Sequence, residues 1–130
     1  RETIEWQVVE LAARRRTSEQ VRMLLYWLNQ RTISATMSEP FALAEFEFHR
    51  TLCEATQNPF LRAASALVEF GVVQALSPRI DAGIEDFSAE KAQFYESLAE
   101  AIGAGQEDAA RTAMAGILAS DRRWTLGESG

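Results

Sequence analysis

Apolar residues recur three and four positions apart almost from one end of this chain to the other, and no stretch alternates with period two over a strand's length. That spacing gathers apolar side chains on one stripe of an α-helix and leaves polar residues on the other side. Without a sheet to lie on, each stripe must be buried against other helices. Ile4, Val8, Leu11 and Ala12 mark a first helix over 1–15. Thr17-Ser18-Glu19-Gln20 then reads as a capping box, in which a hydroxyl accepts from the N3 amide while Gln20 reaches back. Val21, Leu24, Leu25 and Leu28 give the second helix its stripe. Ser38-Glu39-Pro40 opens a third helix that runs to about Gln57, with the proline in the first turn, where no amide hydrogen is needed. Asn58 caps, and Pro59 opens, a fourth helix, which Ser77-Pro78 ends after Leu76.

Residues 77–87 read as a loop or a short extra turn. Ser88 caps a fifth helix over 89–103, with Phe94, Leu98, Ala101 and Ile102 inward and Gly103 and Gly105 closing it. A sixth helix follows from Gln106, with Ala109, Ala113, Met114, Ile117 and Leu118 inward, and frays past Trp124. Leu126–Gly130 read as a tail. The aromatics at 41, 46, 48, 60, 70, 87 and 94 are expected mainly in the core. The fold class is therefore all-α, an antiparallel bundle of six helices with short connections.

The bulk properties exclude several function classes. The 130 residues fit one domain, and 47% hydrophobic with 25% charged residues is an ordinary globular balance. No apolar run approaches the ~20 residues that span a membrane. The single cysteine, Cys53, rules out an intrachain disulfide and a Cys₂ or Cys₄ zinc site. No signal peptide opens the chain and nothing demands an oxidising compartment, so the expected location is cytoplasmic. The formal net charge of −6 argues against a nucleic-acid face on this chain itself. The one basic run, Arg14-Arg15-Arg16, sits near a helix end, where cations favour the macrodipole. The chain opens on Arg1 rather than Met, so it is expected to be part of a longer protein.

Enzyme readings find little to stand on, and none is expected. A di-iron carboxylate bundle needs Glu-x-x-His pairs, and Phe46 stands three residues before His49. Cys53 and His49 are one turn apart, but no third residue is evident to orient the base. No phosphate-cradling glycine loop precedes a helix. A rival of another class is a helical protein-interaction domain, since the last two helices form a hairpin with tetratricopeptide-like Ala and Gly placement. Only one such hairpin is present, whereas at least three repeats are normally needed.

Several pieces together carry a resemblance. Arg1-Glu2-Thr3-Ile4-Glu5 is followed by Leu11-Ala12-Ala13. Glu45-Phe46-Glu47-Phe48-His49 is followed nine residues after the histidine by Asn58. Then come Ala101-Ile102-Gly103-Ala104-Gly105, Ala109-Ala110 and Met114. In this order and spacing, over about 1–120, the chain resembles the FCD (FadR C-terminal) domain of GntR-superfamily transcription regulators. The resemblance implies an FCD-like domain over 1–124, a tail over 125–130, and six or seven helices that enclose a small-molecule cavity. It also implies a homodimer, a small-molecule effector (often an organic acid), and operator DNA bound through an N-terminal winged helix-turn-helix that this chain lacks.

Many members of that family hold a divalent metal with an Asp and three His residues. By position the Asp maps to Glu45, the first His to His49, the second to Tyr95 and the third to Ile117. With one histidine in the chain the set is degenerate. Zinc or nickel wants three good protein ligands, and Glu45 and His49 supply two. The expectation is therefore no cofactor, with Glu45, His49 and Tyr95 serving directly as a polar floor for the effector. Arg1, at the family's Arg position, is a candidate to reach an anionic group.

Overall fold

The computed structural model describes residues 2–63 and 89–125, and all regular structure among them is helical. The helices are α1 (Glu2–Arg15), α2 (Ser18–Ile33), α3 (Ser38–Ala55), α4 (89–104) and α5 (Glu107–Thr125), with a short helical stretch at 59–63. These six stretches match the six expected from the apolar period. Arg1, the break at Ser77-Pro78, the loop at 77–87, the Ser88 cap, Phe70, Phe87 and the tail at 126–130 lie outside the described residues.

The local signals operate as their chemistry requires. Thr17 Oγ1 accepts from the Gln20 amide at 3.1 Å, and Gln20 Oε1 accepts from the Thr17 amide at 2.9 Å. Asn58 Oδ1 accepts from the amides of Phe60 and Leu61 at 3.0 and 3.1 Å, which sets Pro59 in the first turn behind it. α3 begins one residue earlier than the proline signal implies. Met37 is its N-cap without a side-chain bond, and Pro40 is its third residue, still within the turn whose amides have no intrahelical acceptor. α4 runs through Gly103 and stops at Gly105, whose φ of 71° lets the Gln106 amide reach the Ala101 carbonyl at 2.9 Å.

Cross-helix contacts fix the directions. Arg14 meets Glu107 at 3.2 Å and Glu10 meets Arg111 at 3.1 Å, so α1 and α5 run antiparallel. Lys91 meets Asp121, and Glu90 meets Arg123, so α4 and α5 are antiparallel too. Glu45 meets Lys91 and His49 meets Tyr95, a constant offset of 46 residues, so α3 and α4 run in the same direction. α1 is parallel to α3, with Glu5 near His49 at one end and Arg15 at Thr56 at the other. α1, α3 and α4 therefore end together. There Arg15 Nη1 donates to the Thr56 carbonyl at 2.9 Å, and Arg16 Nη2 to the Gly103 carbonyl at 3.1 Å. The basic run thus serves the C-terminal ends of two neighbouring helices, where cations are worth about 0.3–1 kcal/mol each.

One apolar cluster joins the helices, with Val8, Val9, Ala12, Leu24, Phe48, Leu52, Leu98, Ile102, Met114 and Ile117 at 1% exposure or less. Three residues expected inward, two from periodicity and Phe60 as a core aromatic, are not. Leu25 is 51% exposed, Phe60 is 76% exposed, and on α5 Ala109 faces out while Ala110 is buried. Each lies at the edge of its stripe or in a first turn, where a shift of one position reverses the facing.

Gly116 marks the closest approach of α4 and α5, because a Cβ there would overlap the Phe94 ring. Alanine would gain ~1 kcal/mol in helix propensity but lose about 1–3 kcal/mol to overpacking. Gly116→Ala is expected to lower the urea midpoint. In a Phe94→Ala background the same change is expected to raise it. A stabilising Gly116→Ala with Phe94 intact would contradict the close packing.

Candidate functional site

Five helices each send at least one charged or hydrogen-bonding side chain into the interior at one level of the bundle. They are Glu5 on α1, Arg31 on α2, Glu45 and His49 on α3, Lys91 and Tyr95 on α4, and Asp121 on α5, none more than 7% exposed. The level lies toward the ends where α1, α3 and α4 begin. On α3 and on α4 the two site residues are four apart, which sets both on one face. The two faces meet as rungs, Glu45 against Lys91 and His49 against Tyr95.

The bonding is continuous. Lys91 Nζ donates to Glu45 Oε1 and to Asp121 Oδ1, both at 2.8 Å. His49 Nε2 and the Tyr95 hydroxyl are 2.7 Å apart, and that hydroxyl lies 3.4 Å from Glu45 Oε1. With the Tyr95 proton turned to Glu45, His49 Nε2 carries a proton and donates to Tyr95. His49 Nδ1 lies 4.0 Å from Glu5 Oε2. Arg31 stacks its guanidinium over the rings of Phe41 and Tyr95, at 4.7 and 4.5 Å from their centroids, and sets Nε 3.7 Å from Glu45 Oε2. That distance is too long for a hydrogen bond, and among the described residues Glu45 Oε2 receives none.

The structure brings Glu45, His49 and Tyr95, the residues that the family resemblance singles out, within hydrogen-bonding reach of one another, while Arg1 lies outside the described residues. Ile117, at the position of the family's third histidine, is fully buried in the apolar cluster. The polar group that α5 brings to the centre is instead Asp121, one turn later. The donor set does not fit a divalent metal. An ammonium group stands between the two carboxylates, the phenol replaces an imidazole, and no cluster of three or more His, Cys, Asp or Glu among the described residues is arranged to hold a metal. Cys53 belongs to the apolar cluster at 1% exposure, an environment for an inert thiol.

Sequence reasoning missed Glu5, Arg31, Lys91 and Asp121, and one signal marks all four. Each is a charge at a stripe position: Glu5 before Val8, Val9 and Ala12; Arg31 seven after Leu24; Lys91 before Tyr95 and Leu98; Asp121 after Met114 and Ile117. A charge on a buried stripe has to find a partner inside.

The chain matches the family model of the FCD domain over residues 1–120 and belongs to that family, a domain of GntR-family regulators. No curated protein matches it. No helix among the described residues is long and apolar enough to cross a membrane.

Tyr95→Phe keeps the ring that Phe48 and Arg31 pack against and deletes only the hydroxyl between His49 and Glu45. It is expected to destabilise the fold by about 1–3 kcal/mol, the cost of a buried group left without its partner. Chemical denaturation with an unchanged m-value is the check, and a neutral effect would remove the hydroxyl from the network.

Proposed function

We propose that this domain is the effector-sensing half of a bacterial transcription regulator, and that it takes a small organic acid at the polar centre around Glu45, His49 and Tyr95. The observation that carries the reading is the centre itself. Apolar residues of similar volume are often at least as stabilising as buried ion pairs, so a seven-residue polar cluster is not what stability alone selects. Titratable groups gathered inside a helical bundle are where such folds build ligand sites. An acid's carboxylate would compete with Glu45 for Arg31 and Lys91, and His49 and Tyr95 would offer it hydrogen bonds. We read the site as one of binding rather than catalysis, and as needing no metal.

Occupancy would bias the arrangement of a homodimer, by as much as the acid's affinity differs between two states. An N-terminal winged helix-turn-helix in the full-length protein would turn that bias into gain or loss of operator affinity in the cytoplasm. Met23, Leu25, Tyr26 and Ile33 on α2, with Met37 and Leu43, are large apolar residues between 39% and 60% exposed. A second copy covering them accords with the dimeric reading. The paired change Tyr26→Glu and Ile33→Glu is expected to halve the mass seen by sedimentation, and an unchanged dimer would move the interface elsewhere.

One observation favours the protein-interaction alternative, an open groove of about 620 Å³ between α1 and α5, lined by Trp6, Glu10, Asp108, Arg111, Thr112 and Ala115. A thermal-shift screen against small organic acids, with and without chelator, separates the two. An acid at a hundred times its Kd is expected to add about 2.7 kcal/mol of stability, equally in both conditions, and His49→Ala is expected to abolish the shift. A screen in which no acid raises the melting temperature would favour the interaction module.

A further inference from the structure

The polar centre carries a cation of its own. Lys91 Nζ lies 2.8 Å from Glu45 Oε1 and 2.8 Å from Asp121 Oδ1, on a side chain that is 2% exposed. Two carboxylates converging in a dry interior do not both stay ionised without positive charge between them. A divalent ion would draw their oxygens to about 2.0–2.6 Å, and the ammonium already occupies that point. Lysine reaches it because position 91 is one turn before Tyr95, on the face of α4 that meets α3.

We propose that the Lys91 ammonium is the resident cation of this FCD domain, standing where a divalent ion would otherwise join α3 to α5. Glu45 and Asp121 are then ligands of a covalently tethered charge. The ammonium meets the charge that a divalent ion between this pair would otherwise meet. Removing the lysine leaves Glu45 and Asp121 facing one another, two carboxylates whose charge an added divalent cation such as Mn²⁺ or Zn²⁺ would meet in its place. The inference shares the metal-free part of the proposed function but not its effector, so a screen in which no acid binds leaves it standing.

The test uses the whole chain and melting temperature. Wild-type protein purified without chelator is expected to hold far less than one equivalent of metal by mass spectrometry. Its melting temperature is expected to be the same in EDTA, Mn²⁺ and Zn²⁺. Lys91→Ala is expected to melt lower and to regain part of the loss on addition of Mn²⁺ or Zn²⁺, while Lys91→Arg, which keeps a cation, ignores both. If Lys91→Ala does not fold alone, refolding in Mn²⁺ or Zn²⁺ takes its place, and recovery of native helix supports the proposal. A tightly held equivalent of metal in the wild type overturns it. So does a Lys91→Ala protein that neither metal stabilises or refolds.

Discussion

Burying a carboxylate inside a helical bundle dictates what must surround it. Glu45 is placed in the interior by its position on α3, between Phe41 and Phe48, and its charge has to be answered there. α4 answers with Lys91 and α2 with Arg31; Lys91 in turn engages Asp121 of α5. The packing of four helices at this level therefore follows from one desolvated group. Breaking a buried pair costs about 3–5 kcal/mol because the remaining charge is stranded, so the arrangement in which these charges face one another is favoured at this level.

The fold was largely legible because its signals are local. A 3.6-residue apolar period, a capping box at Thr17 and an Asn-Pro start at Asn58 depend only on neighbours in sequence, and the structure realises each. The misreadings of Leu25, Phe60 and Ala109 concern facing, which depends on where a neighbouring helix lies. Glu45, His49 and Tyr95 could be named because a family pattern maps onto them. Lys91 and Asp121 could not, since that pattern asks for imidazoles at Tyr95 and Ile117 and is silent one turn away. The charges on the buried stripes were visible in the sequence, but which charge answers which is a property of the packed bundle.

The arrangement also separates two tasks along the bundle. At one end the polar centre gathers groups from five helices. At the other, Arg15 and Arg16 bind the closing carbonyls of α3 and α4, so the connection between α1 and α2 ties three parallel helices together. Between them lies the continuous apolar cluster, and Phe94, level with the polar centre on α4, packs against it and against the backbone at Gly116. Close-packed interiors of this kind transmit displacement rather than absorb it.

The constant 46-residue offset between α3 and α4 has a consequence of its own. Two helices sharing an apolar seam can slip past one another by a turn and find nearly equivalent contacts. Here a slip that brought Lys91 opposite His49 would leave Glu45 without its ammonium, and the opposite slip would set Ala99 against His49. The rungs work as a key cut for a single lock position. A slide of one turn in either direction therefore breaks both rungs at once.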